Sequence, residues 1–466
     1  MRPLSLLIVF RGSESGLFVK AYSATVVEQL LIIWRSFMNS LSICKTIIQS
    51  IENLLHSNEF LDSHRQKNRF VRSSGKLTMY HIIVYLFYTS KQAMNLNISN
   101  IRMELPALDF PKVSKQAVSK ARQGIIPSLF QDLFSLSVDT FYKSIDKRKR
   151  WRDRFHIYAI DGSRISLPNS KSNFENYSEM FSKKNPKRRW SMALCSAIYD
   201  VCNDFIVQGL LKNYLGSERG AALQHCKDLE SLNLFDNSIL IFDRGYYSED
   251  MFRYFSEKGY LCVMRLRDKY KLSRQCTGDN VVVLYGDPKR GTGDINVRVI
   301  SVKLDGNETE YLATSVFDRS LTAEDFKELY FMRWPIEQKY GELKNQFMME
   351  EFSGATSTSI EQEFFINLLL SNLAALIKAS ADEIIEEKAR SANKFRYQAN
   401  RAYIIGRLKW FVPRFLSKTS TMHVLDDIFE GAVAVRSQIQ PGRKDKRNKR
   451  NSDRERKHFN NRKRVI

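Results

Sequence analysis

HIYAIDGS, residues 156–163, is the stretch of sequence on which the fold prediction rests. Its apolar, partly β-branched first half predicts a buried strand, and Asp161 stands where we expect that strand to end. The stretch ILIFDRG, residues 239–245, repeats the arrangement with Asp243. A carboxylate at the end of a buried strand is costly unless it is compensated, so the two together indicate a cation held between them. Taken singly, each aspartate is also typical of a turn.

The segments around the two aspartates alternate between strand and helix patterns. Short apolar runs predict strands at residues 155–160, 190–198, 204–211, 238–242 and 260–265, and helices are predicted at residues 217–229 and 248–258. Together they predict an α/β core. From residue 271 to residue 317, polar and apolar residues alternate between Gly-Asp and Asp-Gly turns, which predicts a mainly β insertion.

Helical patterns flank this core. Residues 40–148 and 321–415 repeat apolar positions at steps of three and four residues. Within the first segment, residues 111–122 (PKVSKQAVSKAR) combine a serine suited to cap a helix with several cationic side chains. This pattern is typical both of the DNA-contacting helix of a helix-turn-helix and of a solvated basic helix.

The chain carries a strong excess of positive charge. Its 466 residues include 73 Lys and Arg against 51 Asp and Glu, a formal net charge of +22, which favours binding to nucleic acid or to an anionic membrane. No apolar run reaches the roughly 18 uncharged residues that span a bilayer, which favours nucleic acid over the membrane. Six cysteines without a CxxC pair predict reduced thiols in a cytoplasmic protein.

A third carboxylate lies in the helical pattern that follows the insertion, in the stretch YFMRWPIEQKYGELK, residues 330–344. A helix would align Tyr330, Arg333, Glu337 and Lys344 along one stripe, because they follow one another at steps of three, four and seven residues. Pro335 predicts a kink or a new helix start within the stretch. Considered alone, the pair of Arg333 and Glu337 is also typical of a surface salt bridge.

These motifs resemble those of a known family, the insertion-sequence DDE transposases that carry a Tyr-Arg-Glu-Lys signature. The resemblance covers residues 155–346 and rests on the motifs DGSR at 161–164 and DRGY at 243–246, and on the spacing Y-x2-R-x3-E-x6-K at 330–344. It implies a ribonuclease-H-like fold with a β insertion before the catalytic glutamate. It also implies that Asp161, Asp243 and Glu337 are the catalytic metal ligands and that Tyr330, Arg333 and Lys344 contact DNA phosphates.

The reaction implied is metal-dependent cleavage and joining of DNA. Oxygen ligands suit Mg2+ or Mn2+, and three carboxylates can hold two ions about 4 Å apart, one for the attacking oxygen and one for the leaving oxygen. Water would be the nucleophile that hydrolyses a phosphodiester at the end of a mobile element. The released 3′-hydroxyl would then attack a phosphodiester of the target strand. The partners would be double-stranded DNA, at the terminal inverted repeats and the target, and a second copy of the chain, in a protein associated with the nucleoid. Trp334 would either pack in the core, the preferred interpretation, or stack on an unpaired base.

Two alternatives remain open for the sequence. One is a nuclease of the same fold that cuts without joining, and the other is a DNA-binding regulator without catalysis. The predicted organisation is the same for all three: an N-terminal extension at 1–37, a helical DNA-binding domain at 38–150, a core at 151–350 with its insertion at about 270–318, and a C-terminal helical region at 351–440. A basic tail at 441–466, with 12 Lys/Arg and three acidic residues, should be disordered.

Overall fold

The structure is a computed structural model. It describes residues 6–11, 17–22, 40–66, 69–70, 75–89, 92–144, 148–182, 185, 187, 189–232, 234–304, 308–389 and 395–439. The predicted tail and most of the predicted N-terminal extension lie outside the described residues. Within that extension, two short strands pair antiparallel.

The described residues form thirteen strands and fifteen α-helices. The strands are β1 (Leu6–Arg11), β2 (Leu17–Tyr22), β3 (His156–Leu167), β4 (Glu179–Phe181), β5 (Arg189–Asp200), β6 (Phe205–Asn213), β7 (Ser238–Phe242), β8 (Leu261–Arg265), β9 (Asp279–Leu284), β10 (Ile295–Lys303), β11 (Thr309–Thr314), β12 (Tyr397–Ala399) and β13 (Arg436–Gln438). The helices are α1 (Ser40–Leu55), α2 (Asn58–Ser63), α3 (Met79–Tyr88), α4 (Met94–Glu104), α5 (Lys115–Arg122), α6 (Ser128–Ser144), α7 (Lys171–Asn176), α8 (Glu218–Asp228), α9 (Glu249–Lys258), α10 (Lys271–Arg274), α11 (Ala323–Phe331), α12 (Trp334–Asn345), α13 (Ser357–Glu387), α14 (Arg401–Leu416) and α15 (His423–Ala434).

A nine-stranded mixed sheet forms the centre of the protein. One half has the order β6-β5-β3-β7-β8, in which β5 pairs antiparallel with β6 and β3, while β7 and β8 run parallel to β3. This order and these strand directions are those of the ribonuclease-H-like fold, so the predicted fold class is confirmed. The other half consists of β11, β10 and β9, which continue the same sheet antiparallel from β8. The strands predicted as a β insertion therefore extend the central sheet. The ninth strand, β4, pairs antiparallel with residues 189–191 of β5, ahead of the part of β5 that pairs with β6.

Local sequence signals position the helices around this sheet. Ser114, Ser217 and Ser248 each accept a backbone N–H in the first turn of α5, α8 and α9, as N-cap serines do. Pro335 lies in the first turn of α12, where its missing N–H costs no hydrogen bond. The predicted helix start at this proline is confirmed.

Helix α13 is the central helix of the helical part of the protein. It packs against α1 and α6 from the N-terminal segment and against α14 and α15 from the C-terminal segment, and also against β6. It is long and apolar enough to cross a membrane, but 89% of its most apolar 18-residue window is buried inside the protein. We therefore interpret α13 as a core helix that joins both helical segments to the sheet.

The basic helix predicted at residues 111–122 uses its cations in two ways. Lys112, Lys115 and Lys120 are exposed. Arg122 is only 2% exposed and donates to Glu363 on α13 at 3.0 Å and to the Gln362 side chain at 2.8 Å. Arg122 is therefore part of the contact between α5 and α13, whereas Lys115 and Lys120 lie on the exposed face of the helix and Lys112 precedes it.

Candidate active site

Asp161 lies inside β3 and not at its end. The prediction that the strand stops there is wrong, because β3 continues to Leu167 and pairs with β5 over its whole second half. Burial does change at this point, since residues 156–160 are buried and Asp161 and the two residues after it are partly exposed. Asp161 is thus the first residue of β3 that is partly exposed to solvent.

Burial raises the pKa of the Asp161 carboxyl to about 7. The backbone N–H of Gly162 donates to Asp161 Oδ1 at 2.8 Å, and this bond and the positive charge of Arg333 lower the pKa in part. The negative charges of Asp243 and Glu337 raise it further. These electrostatic contacts mean that the three predicted carboxylates and Arg333 share one region of the protein.

Asp243 follows β7 directly, as predicted. Phe242 is paired with Ile160 in the parallel register of β7 and β3, so Asp243 and Asp161 are the next residues of two neighbouring parallel strands. The hydroxyl of Tyr330 donates to Asp243 Oδ1 at 3.3 Å. The two aspartates therefore occupy neighbouring positions of paired strands, at the point where β7 ends and β3 continues.

Glu337 is bound to Arg333 at the start of α12. Arg333 Nη2 donates to Glu337 Oε1 at 2.9 Å, and the side chains are 5% and 39% exposed, respectively. The surface salt bridge that the sequence left open is therefore present, but its arginine is buried. Because Glu337 also raises the pKa of Asp161, the pair lies beside the aspartates and not on a remote surface.

The guanidinium of Arg333 has unused hydrogen-bonding capacity. Its Nε and Nη1 atoms are buried and have no hydrogen-bond partner among the described residues. The group lies over the ring of Tyr330 at 5.7 Å and over the ring of Trp334 at 5.4 Å. Trp334 is 37% exposed, so the expectation that it packs in the core is wrong.

Lys344 lies two turns after Glu337 on α12. Its Nζ donates to Ser163 Oγ at 2.7 Å and to the Arg164 carbonyl at 2.8 Å. Both acceptors belong to the DGSR motif at 161–164, so the lysine lies close to the strand that carries Asp161. The structure thus brings the six predicted site residues together around β3, β7 and α12.

Several residues that the sequence interpretation did not single out also belong to this region. The buried hydroxyl of Tyr340 donates to the Asp161 carbonyl at 2.8 Å. Tyr246 is 1% exposed, its hydroxyl has no hydrogen-bond partner among the described residues, and the charges of Asp161, Glu218 and Asp243 raise its pKa after the larger effect of burial. Both tyrosines lie three residues after a predicted catalytic carboxylate, and this spacing is the sequence signal that could have identified them.

The chemistry of the carboxylates fits a hard divalent cation, although their arrangement here does not form a ligand group. Within the ranges that the structure describes, no three His, Cys, Asp or Glu side chains are grouped so that they could hold a metal ion. Carboxylate oxygens are the ligands that Mg2+ and Mn2+ prefer. Asp161, Asp243 and Glu337 supply such oxygens from two strands and one helix, and a cation would offset the repulsion recorded in the raised pKa of Asp161.

Comparison with known proteins finds similarity to a family, to a protein sequence and to solved structures. Residues 154–373 match the family described as "Transposase DDE domain". The chain is 23% identical over 309 residues to the transposase InsG for insertion sequence element IS4 of Escherichia coli strain K12, which covers 63% of this chain and 68% of that protein. A cryo-EM structure of the piggyBac transposase synaptic complex with hairpin DNA aligns with 85% of this chain and 87% of its own, at 11% identity and a TM-score of 0.45.

Proposed function

The chain is a DDE transposase of the insertion-sequence type, and from this premise we propose that Asp161, Asp243 and Glu337 are its catalytic residues. The enzyme cleaves DNA and transfers strands, and its family uses divalent metal. The observation that supports the assignment is geometric: Asp161 and Asp243 occupy neighbouring positions of the paired strands β3 and β7, and the buried Arg333, which binds Glu337 at 2.9 Å, follows Tyr330, which binds Asp243. If Glu337 were only part of a surface salt bridge and the aspartates only turn residues, their two strands and one helix would have no reason to meet in one region.

We propose that the three carboxylates bind two Mg2+ ions, for which Mn2+ can substitute. The ions would activate the attacking oxygen and stabilise the leaving oxygen of a phosphodiester. Asp161 and Asp243 contribute from neighbouring strands, and Glu337 contributes from α12. Water serves as the nucleophile for cleavage at the end of the element, and the 3′-hydroxyl of that end serves as the nucleophile for joining to the target.

We propose that Tyr330, Arg333 and Lys344 bind phosphates of the element's end. Each is held by a group of the site in the absence of DNA: Tyr330 by Asp243, Arg333 by Glu337, and Lys344 by Ser163. Arg333 has two further buried donors that bond to none of the described residues. A phosphate on these donors would share the charge of the guanidinium with Glu337, which would weaken that pair and favour a turn of the Glu337 carboxylate toward Asp161 and Asp243.

We propose that the other parts of the chain serve DNA binding and assembly. The helical segment at 38–150 would contact DNA through the exposed lysines of α5. The core at 151–350 carries the chemistry, and the helical region at 351–440 supports it through α13. Double-stranded DNA at the inverted repeats and the target would be bound by a homodimer, because two ends must be joined. The protein would act at the nucleoid and not at a membrane.

The test uses purified protein, a labelled duplex that carries the element's end as read from the DNA flanking its gene, and Mg2+. Asp161→Ala, Asp243→Ala and Glu337→Ala should each reduce cleavage by at least about 10³-fold, as expected when a group that acts only in the transition state is removed. Binding of the duplex in chelator should stay within a few-fold of wild type. Asp250→Ala, which removes an exposed carboxylate paired with Arg290, is the matched control and should cleave normally.

Strand joining is measured with a precut end that carries a 3′-hydroxyl. Cleavage without joining would identify a nuclease of the same fold, and binding without cleavage under any divalent metal would identify a regulator. Substantial metal-dependent cleavage by any of the three alanine variants would contradict the assignment of that residue.

A further inference from the structure

Tyr340 connects the helix of one proposed metal ligand to the strand of another. It lies on α12 three residues after Glu337, so the two side chains share a face of the helix. Its side chain is 5% exposed, and its hydroxyl donates to the Asp161 carbonyl at 2.8 Å, with the Cys195 carbonyl at 3.3 Å. The bond therefore reaches the backbone of Asp161 itself.

A second contact on the same helix further restricts how α12 can move against β3. Lys344, one turn after Tyr340, donates to Ser163 Oγ and to the Arg164 carbonyl. Helix α12 is thus attached to β3 at two points, on either side of Gly162. Two attachments fix both the height of the helix along the strand and its rotation about its own axis, which together determine where the Glu337 carboxylate can reach.

The backbone at Asp161 is fixed by the central sheet. Asp161 is paired with Ala197 in the antiparallel register of β3 and β5, and the residue before it, Ile160, is paired with Phe242 of β7. Tyr340 therefore connects α12 to a backbone position that strands on both sides of β3 hold in place.

The helix does not need Tyr340 to remain folded. Its other face carries Lys339 and Glu342, which pair with each other at 3.3 Å and with Asp204 and Arg401 in a buried ionic cluster. Ile336 and Leu343 are also buried in the core. Loss of one hydroxyl therefore leaves the attachment of α12 in place and changes mainly its alignment with β3.

We propose that Tyr340 is a positioning residue whose hydroxyl sets the spacing between Glu337 and Asp161 that metal binding requires. The proposal rests on the proposed function, because it presumes that these carboxylates bind the metal. Residues that would hold a metal must stay within about 0.5 Å of their productive places, so a small shift of α12 would weaken metal binding without unfolding the protein. Groups that orient metal ligands typically change metal affinity about 10- to 100-fold when removed.

The test compares Tyr340→Phe with Tyr177→Phe in the full-length protein. Tyr177 is a matched control, because it is 3% exposed and its hydroxyl donates to Glu361 at 2.9 Å, away from the proposed site. Binding of Mn2+ is followed by electron paramagnetic resonance in the presence of the duplex end, together with duplex affinity in chelator and the melting temperature. Y340F should weaken Mn2+ binding at least about tenfold relative to Y177F, with similar duplex affinity and melting temperature.

Asp161→Ala in the same Mn2+ titration separates a failure of the Tyr340 role from a failure of the proposed metal site. If D161A abolishes Mn2+ binding and Y340F binds Mn2+ like wild type, the positioning role is wrong and the metal site stands. If wild type and D161A bind Mn2+ equally, the proposed metal site is wrong and the role of Tyr340 falls with it. A loss of melting temperature in Y340F without a change in Mn2+ affinity would assign Tyr340 to stability alone.

Discussion

Replacement of Asp161 by Asn should stabilise the metal-free protein above neutral pH, although it removes a proposed catalytic residue. Burial raises the pKa of the Asp161 carboxyl from 3.8 to about 7, and Asp243 and Glu337 contribute to the rise. The folded protein then keeps a proton that the unfolded chain releases. Below about pH 4, Asp161 is protonated in both states and does not lower the free energy of unfolding of the wild type. As the pH rises from about 4 to about 7, proton release by the unfolded chain lowers that free energy progressively.

The size of the effect follows from the two pKa values. Between about pH 4 and pH 7, each pH unit costs the wild type about 1.4 kcal/mol, so the total penalty approaches about 4 kcal/mol above pH 7. An amide carries no charge and pays none of it. The gain in unfolding free energy for D161N over wild type should therefore be about 3 kcal/mol larger at pH 8 than at pH 5, because about one pH unit of the penalty is already present at pH 5.

Thermal and urea unfolding in chelator, at pH 5 and pH 8, measure this difference. Asp250→Asn is the control, since it alters a solvent-exposed pair with Arg290, and such pairs contribute little to stability. Excess Mg2+ should stabilise wild type at pH 8 and have little effect on D161N, because a ligand stabilises only the state that binds it. An equal gain at both pH values, or no gain at pH 8, would refute the electrostatic account of Asp161.

Two other predictions concern the contact of α5 with α13 and the contact of α12 with DNA. Glu363→Ala should destabilise the protein by roughly 3–5 kcal/mol in urea unfolding, because it leaves the buried guanidinium of Arg122 without its counter-charge; a change under about 1 kcal/mol would contradict the buried pair. Lys344→Ala should weaken binding of the duplex end and reduce by about 0.9 the slope of log affinity against log salt, which corresponds to one lost phosphate contact. An unchanged slope across a salt titration would contradict a phosphate contact and leave Lys344 with its contacts to Ser163 and the Arg164 carbonyl.

The local pattern of the sequence was sufficient for most elements of the core. Apolar runs gave β3 and β7, and serine caps gave α8 and α9, because these signals depend on neighbouring residues. The length of β3 could not be predicted, since residues 162–167 contain glycine and serines and become a strand only through pairing with β5. Pairing between distant segments overrides local preference in such a strand.

The roles of single side chains were harder to predict when their partners are distant in the chain. Arg122 has the sequence context of an exposed cation, and its burial depends on Glu363, 241 residues later. Tyr340 has the context of a core aromatic residue, and its function depends on a backbone carbonyl 179 residues away. A carbonyl acceptor leaves no trace in the sequence, because every residue carries one.

The proposed site contains two unfavourable features of opposite charge. Arg333 has two buried donors that bond to none of the described residues, and Asp161 is a buried carboxyl with carboxylate neighbours. On the proposed function, a phosphate would stabilise the first group and a cation would stabilise the second. Because that phosphate would also weaken the pair of Arg333 and Glu337, it would make a carboxylate more available to the cation. The affinities for DNA and for metal should then increase each other by the same factor, since coupling between two sites is reciprocal.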